Sequence, residues 1–123
     1  MNERCLILLA HGSRDPRWCA PFERLAAGLD GIPGVRVALA YLELAAPSFP
    51  DAVAAAVTAG ARHVRVLPLF LAGGAHVERD LPALVDAARA AHPSVRFESL
   101  PHVGDRPELF ALLAQFARAA FDD

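Results

Sequence analysis

Two histidine-containing segments carry the residues whose chemistry is easiest to interpret. In LLAHGSRDP an apolar run ends abruptly at His11, and in LAGGAHVERD a glycine pair precedes His76. Neutral imidazole binds divalent transition metals such as Co²⁺, Fe²⁺ and Ni²⁺, and it also acts as a base near neutral pH. The two segments therefore indicate metal handling or proton transfer.

Carboxylate, guanidinium and glycine residues accompany these histidines. Glu43 lies within the apolar frame YLEL, and a carboxylate placed near imidazoles can accept protons. Arg14 and Arg79 carry a planar fork that binds carboxylates in bidentate geometry, although both also fit an interpretation as ordinary surface charges. The Gly73-Gly74 pair is either a loop hinge or a place where a large ligand approaches the backbone closely.

The sequence contains no motif for a permanently bound metal. HExxH, CxxC and a cluster of three histidines are all absent, so a weak and transient metal site fits better. The only cysteines, Cys5 and Cys19, match no zinc or redox spacing, and Cys5 is predicted to lie in the core. A role for His102, which follows the last predicted strand, stays open.

Apolar segments alternate with helical patterns along the whole chain. Runs rich in Val, Leu, Ile and Phe predict strands over residues 5–10, 35–44, 63–70 and 95–101. Helix starts are predicted at Asp15-Pro16 or nearer Arg17 or Trp18, at Ser48, at Asp80 and at Asp105. The order βαβαβαβα predicts one α/β domain over residues 1–123, a four-stranded parallel sheet with helices on both faces and a flavodoxin-like strand order.

This fold would gather the chemical residues at one edge. Ligands of such sheets bind beyond the carboxyl ends of the strands, where the strand order switches. The loops after the first and third strands flank that switch and carry His11 and His76, while Glu43 and His102 follow the second and fourth strands. We therefore expect a functional site at this edge.

Composition excludes several classes of function. The 123 residues are 54% hydrophobic and 21% charged with a formal net charge of -2, which argues against a general nucleic-acid binder. The apolar runs are shorter than the roughly 20 residues of a membrane span, so we expect no membrane association. A convincing signal peptide is also missing, and a cytoplasmic location is expected.

Three segments together resemble a known family. LLAHGSRDP, YLELAAPSFPDA and VLPLFLAGGAHVERDLP, in this order and spacing over nearly the whole chain, are similar to the short, single-domain sirohydrochlorin cobaltochelatases of the CbiX type, which are related to sirohydrochlorin ferrochelatases. The resemblance implies insertion of Co²⁺, with Fe²⁺ or Ni²⁺ as alternatives, into sirohydrochlorin without ATP, on the way to cobalamin or siroheme. The metal would be a substrate, and no cofactor would be permanently bound.

The resemblance also implies roles for the residues already singled out. His11 and His76 match the paired histidines that would hold the metal and help to remove the pyrrole protons, and Glu43 would relay those protons. A macrocycle with eight carboxylates needs cationic and donor partners. The candidates for contact with it are Ser13, Arg14, Gly73, Gly74 and Arg79.

Oligomeric state and two competing functions complete the expectations. Short family members are implied to pair as homodimers, and an open cleft would need a second wall, for which Trp18, Phe70 and Leu71 are candidate exposed contacts. The same histidines and arginines could instead carry a metal or tetrapyrrole without inserting one. A phosphate-handling enzyme using HGSR as an anion loop is a third interpretation, weakened by the lack of a glycine-rich phosphate loop.

Overall fold

A parallel four-stranded sheet forms the centre of the protein in a computed structural model, which describes residues 3–29 and 31–122 and, for residues 75 and 76, the backbone alone. The strands are β1 (Arg4–Ala10), β2 (Val35–Tyr41), β3 (His63–Pro68) and β4 (Arg96–Ser99). All pair in parallel in the order β2-β1-β3-β4. The predicted fold class and strand order are confirmed.

Four helices connect or follow the strands. They are α1 (Pro16–Ala27), α2 (Phe49–Thr58), α3 (Ala75–Ala91) and α4 (Pro107–Arg118), with a short 3-10 turn at Val103–Asp105 before α4. Within the described residues, every helix is too short or too polar to cross a membrane.

The two faces of the sheet are covered unequally. Cys5, Ile7 and Leu9 of β1 point to one face and belong to the large core formed with α2 and α3, as predicted for Cys5. Because successive side chains of a strand alternate, Leu6, Leu8 and Ala10 point to the opposite face, which we call the α1 face. There α1 contributes Cys19, which packs with Ala10 in a smaller cluster.

The first two helices begin at their predicted capping residues. The Asp15 carboxylate accepts a hydrogen bond from the backbone N–H of Arg17 at 2.9 Å, so α1 begins at the earlier of the predicted positions and keeps Pro21 inside the helix. Ser48 caps α2 by accepting from the N–H of Asp51 at 3.3 Å. Pro21 removes one hydrogen bond inside α1, and the helix nevertheless continues to Ala27.

The predicted starts of the last two helices are wrong. α3 begins at Ala75 rather than after Asp80, and Pro82 lies inside it. The glycines before Ala75 let the chain turn directly into the helix, and the N–H of Glu78 already bonds to the carbonyl of Gly74 at 3.0 Å. His76 is therefore in the first helical turn and not in a loop. Asp105 ends the 3-10 turn, and Arg106 stands at the N-cap position of α4.

Strand 2 is shorter than predicted. It ends at Tyr41 instead of residue 44, because the chain bends and Leu44 adopts a left-handed conformation with φ of 64°. Glu43 consequently belongs to the loop after β2 and is free to face the edge of the sheet.

Candidate active site

The loops after β1 and β2 hold His11 and Glu43 side by side. The backbone N–H of Leu42 donates to the carbonyl of Ala10 at 3.0 Å, and that of Glu43 donates to the carbonyl of His11 at 3.1 Å. These two bonds extend the pairing of β1 with β2 past the ends of the strands. The predicted neighbourhood of these two residues at the carboxyl edge is thereby explained by sheet register.

Gly12 is required by this close approach. Its φ is 102°, which side chains of L-residues rarely adopt. A Cβ at this position would lie 1.7 Å from the carbonyl oxygen of Glu43, so only glycine lets the two loops touch.

His11 and Glu43 open into one cleft of about 400 Å³. The first two turns of α3 contribute Val77, Asp80 and, one turn further on, Leu84 to the same cleft. The backbone of His76 immediately precedes Val77, whereas the His76 side chain lies outside the described part of the structure. Asp80, predicted as a helix cap, instead lines the cleft, which could be recognised only once the true start of α3 was known.

The imidazole of His11 is exposed and rests on an aromatic ring. Its centroid lies 4.3 Å from that of Phe70, at an interplanar angle of 37°. Phe70 is only 2% exposed, so the expectation that it forms an exposed contact is wrong. Phe70 packs against the buried side of His11. The other two predicted contacts are exposed: Leu71 is 63% exposed, and Trp18 is exposed with its ring 4.7 Å from that of Phe22.

Ser13 and Arg14 lie at a different cleft from His11. Together with Cys19 and Tyr41 they line a depression of about 280 Å³ beside α1. The Ser13 hydroxyl accepts a hydrogen bond from the N–H of Asp15 at 3.0 Å, which gives this serine a structural role at the start of α1. Burial, followed by the hydrogen bond with Cys19, raises the pKa of Tyr41 to about 12, so its hydroxyl stays protonated.

The remaining predicted contact residues are dispersed around the edge. Arg79 is exposed, with its Nε 3.6 Å from the Asp80 carboxylate. Gly74 has a φ of 111° but faces open space, and Gly73 lines a neighbouring cleft of about 310 Å³. His102 lines that cleft too, with Nε2 3.5 Å from Oδ1 of Asp105. The structure thus places His11 and Glu43 in one cleft, Ser13 and Arg14 in a second and Gly73 in a third, whereas Gly74 and Arg79 line none of these clefts.

A complete set of metal ligands does not form within the described side chains. No three histidine, cysteine, aspartate or glutamate side chains among them come together closely enough to hold a metal ion.

The fold and this cleft define an α/β protein of the doubly wound type with imidazole and carboxylate groups at the switch in strand order. The CbiX family model matches residues 5–120, and the chain belongs to the CbiX family.

The relatives with which this chain aligns are named as sirohydrochlorin chelatases. The chain is 36% identical over 90 residues to the sirohydrochlorin cobaltochelatase of Methanocaldococcus jannaschii. This alignment covers 71% of this chain and 62% of the relative. It is 32% identical over 100 residues to the sirohydrochlorin ferrochelatase of Bacillus subtilis strain 168, covering 76% of this chain and 36% of the relative. The matches thus span less than two thirds of either relative.

Solved structures share the fold over almost the whole chain. A protein from Marinobacter aquaeolei VT8, described as a CbiX protein of cobalamin (vitamin B12) biosynthesis, superposes with a TM-score of 0.85 at 37% identity, covering 97% of this chain and 98% of that one. The sirohydrochlorin chelatase SirB from Bacillus subtilis subspecies spizizenii, solved in complex with cobalt, gives 0.78 at 25% identity. That match covers 94% of this chain but 50% of SirB, whose chain is about twice as long.

Proposed function

We propose that this protein inserts a divalent metal into sirohydrochlorin without ATP, with Co²⁺ as the first candidate and Fe²⁺ or Ni²⁺ as alternatives. The observation that carries the proposal is the cleft in which His11 and Glu43 meet the first turns of α3. Membership of the CbiX family and the names of the relatives support the same activity. The metal enters as a substrate, in the pathway to cobalamin or to siroheme.

The proposed chemistry needs a metal ligand and a base. Insertion releases two protons from pyrrole nitrogens, so a proton acceptor is required. We assign metal contact and proton removal to His11 and His76. Glu43, whose backbone is bonded to that of His11, is assigned the relay of protons to water. The ring of His11 lies against buried Phe70, and this contact favours one orientation of the imidazole at the cleft.

The proposed substrate is large, flat and acidic. Arg14 and Arg79 are assigned to its carboxylates, because Arg14 lines the depression beside α1 and Arg79 is exposed in the first turns of α3. Ser13, Gly73 and Gly74 are assigned to its edges, where hydroxyl and backbone groups can donate hydrogen bonds.

We also propose a homodimer and a cytoplasmic location. The cleft at His11 is open on one side, and a second copy would supply the missing wall for a flat macrocycle. Both cysteines are free thiols, which fits a reducing compartment.

The test is anaerobic incubation of the protein with sirohydrochlorin and Co²⁺, Fe²⁺ or Ni²⁺, followed by the visible absorption of the metallated product. His11→Ala and His76→Ala are each expected to lower the insertion rate by about 100-fold or more, and Glu43→Gln by a similar factor. His92→Ala is the matched control, since it removes an imidazole at the C-terminal end of α3, far along the helix from the cleft.

Two outcomes would overturn the assignment. Wild-type rates in both the His11 and the His76 variants would show that these imidazoles are not catalytic. Binding of metal and tetrapyrrole with no more than one product per protein molecule would identify a carrier rather than an enzyme.

A further inference from the structure

A cleft beside the proposed active site contains a second set of groups of the kinds that bind metals. It has a volume of about 310 Å³ and lies where the loop after β3, the first turns of α3 and the turn after β4 meet. Its lining includes one imidazole and two carboxylates, which belong to His102, Glu78 and Asp105. Among the described side chains, no arginine lines this cleft. The imidazole whose role the sequence left open therefore lies among anionic groups.

His102 and Asp105 are spaced like two ligands of one ion. Nε2 of His102 lies 3.5 Å from Oδ1 of Asp105, which exceeds the usual hydrogen-bond length of about 2.7–3.2 Å. A metal ion that binds a nitrogen and an oxygen at about 2.1 Å each, with a tetrahedral angle between them, separates the two donor atoms by about 3.4 Å. The two atoms thus already have the separation that a shared ion requires.

The 3-10 turn after β4 holds the two side chains at this spacing. The N–H of Asp105 donates to the carbonyl of His102 at 2.9 Å, so both residues belong to one hydrogen-bonded turn. Gly104 within it donates to the carbonyl of Phe70 at 2.9 Å, and a Cβ on Gly104 would lie 1.6 Å from the carbonyl oxygen of Leu71. Because the turn is pressed against the loop after β3, the pair keeps its position at the cleft.

A further carboxylate faces the pair across the cleft. A Cβ built on Gly73 would lie 3.5 Å from Oε1 of Glu78 and 3.6 Å from Cε1 of His102, so both side chains reach towards the same point in front of this glycine. No three such side chains of the described residues come close enough to hold an ion by themselves. Glu78 would therefore act through a water molecule and through its charge. Two protein ligands completed by water make a weak site, which suits an ion that has to leave again.

This cleft adjoins the proposed active site. Val77 lines it and also lines the cleft that contains His11 and Glu43. Val77 lies in the first turn of α3, between His76 and Glu78 in the chain. One side chain thus forms part of the boundary between the two clefts, and an ion held in one is close to the groups of the other.

We propose that His102 and Asp105 form a second metal site, which binds a divalent ion such as Co²⁺, Fe²⁺ or Ni²⁺ before the ion moves to the catalytic cleft. Imidazole and carboxylate groups together suit these ions. Two carboxylates in one cleft also raise the local concentration of cations. The purpose of the site rests on the proposed metal insertion, whereas the binding of the ion does not.

Calorimetric titration of the whole chain with Co²⁺, anaerobically and without tetrapyrrole, tests the binding. The starting protein is the double variant His11→Ala and His76→Ala, which lacks the imidazoles of the catalytic cleft and is expected to keep one site per chain. In this background, His102→Ala and Asp105→Asn are each expected to weaken that site by about 10-fold or more, because loss of a group that merely supports a ligand already costs on the order of 10- to 100-fold. His92→Ala, which removes an imidazole at the end of α3, is the control and is expected to change nothing.

Nuclear magnetic resonance of the same double variant locates the ion. Paramagnetic Co²⁺ is expected to shift and broaden the amide signals of residues 102–105 most strongly, and His102→Ala is expected to abolish this effect. The amide spectrum without metal shows whether each variant is folded. The proposal would be overturned if the double variant bound no Co²⁺ at millimolar concentration, or if it bound Co²⁺ equally well after His102→Ala.

Insertion kinetics distinguish the second site from the proposed activity. If the site supplies the metal, His102→Ala in the otherwise unchanged chain should raise the KM for Co²⁺ by about 10-fold, with kcat retained at saturating metal. An unchanged KM would refute delivery through this site. A protein that binds Co²⁺ at His102 but inserts no metal into sirohydrochlorin would refute the proposed activity and leave the second site standing.

Discussion

Replacing Gly12 by alanine should damage the site more than any exposed glycine substitution. The new Cβ would lie 1.7 Å from the carbonyl oxygen of Glu43, whereas real Cβ atoms essentially never come closer than 3.0 Å. The two loops must therefore separate by more than about 1 Å, and displacements of that size at a reacting group cost on the order of 100-fold in rate.

The same substitution has a predictable effect on stability. A non-glycine residue at a φ of 102° is strained by about 1–3 kcal/mol. Loss of the hydrogen bond from Glu43 to the His11 carbonyl adds about 1 kcal/mol. For a chain of this size the sum corresponds to a fall in the melting temperature of about 10 °C or more.

Substitutions at two other glycines distinguish the effect of backbone strain from the effect of the steric clash. Gly74 also has a positive φ of 111°, but a Cβ there meets nothing within 4 Å, so Gly74→Ala should show the strain without the clash. Gly31 also has open space around it and no positive φ, so Gly31→Ala should leave the melting temperature unchanged. Thermal unfolding followed by circular dichroism gives the stabilities, and the insertion assay well below the melting temperature gives the rates. If Gly12→Ala matches Gly31→Ala in both, the argument from loop contact fails.

Three further predictions follow from single contacts. Tyr41 is the only tyrosine of the chain, so ultraviolet titration of tyrosinate should show a midpoint at about pH 12 in the native protein and near 10 in denaturant. Because the pKa of Tyr41 is higher in the folded protein, the stability linked to Tyr41 is complete below about pH 10 and is lost as the pH rises towards 12. Tyr41→Phe should remove that loss of stability. Equal titration midpoints in the native and the denatured protein would contradict the burial argument. Ser48→Ala should lower the free energy of unfolding by about 1 kcal/mol through the lost cap of α2, and an unchanged denaturation midpoint would show that the cap contributes nothing. Gly104→Ala should lower the melting temperature because its Cβ would collide with the carbonyl of Leu71, and a wild-type melting curve would mean that the 3-10 turn moves freely.

Local patterns were sufficient where one element decides the outcome. The apolar run ending at His11 predicted β1, and the Ser48-x-x-Asp51 spacing predicted the start of α2. The alternation of strands and helices predicted the sheet, because parallel strands require crossover helices. The placement of His11 and Glu43 at one edge followed from the same logic.

Patterns misled where a capping signal lay inside a longer helix. Asp80 followed by Leu81 and Pro82 has the composition of a helix start, yet α3 begins at Ala75 and continues through Pro82, which is its eighth residue. Aromatic residues were equally ambiguous: Phe70 is buried under His11, while Phe116 is exposed, and both lie in apolar runs. Hydrophobicity alone does not determine which partner a side chain contacts.

The sequence by itself determined the types of the elements, their order and the edge at which the chemical residues gather, since these depend on hydrophobic period and on the handedness of the crossovers. Tertiary structure decided that Gly12 touches Glu43, that Asp80 lines the cleft and that α4 leaves its apolar face open. Each of these depends on the register and direction of two elements distant in sequence. No local pattern encodes that relation, because the energy of a contact depends on both of the residues that form it.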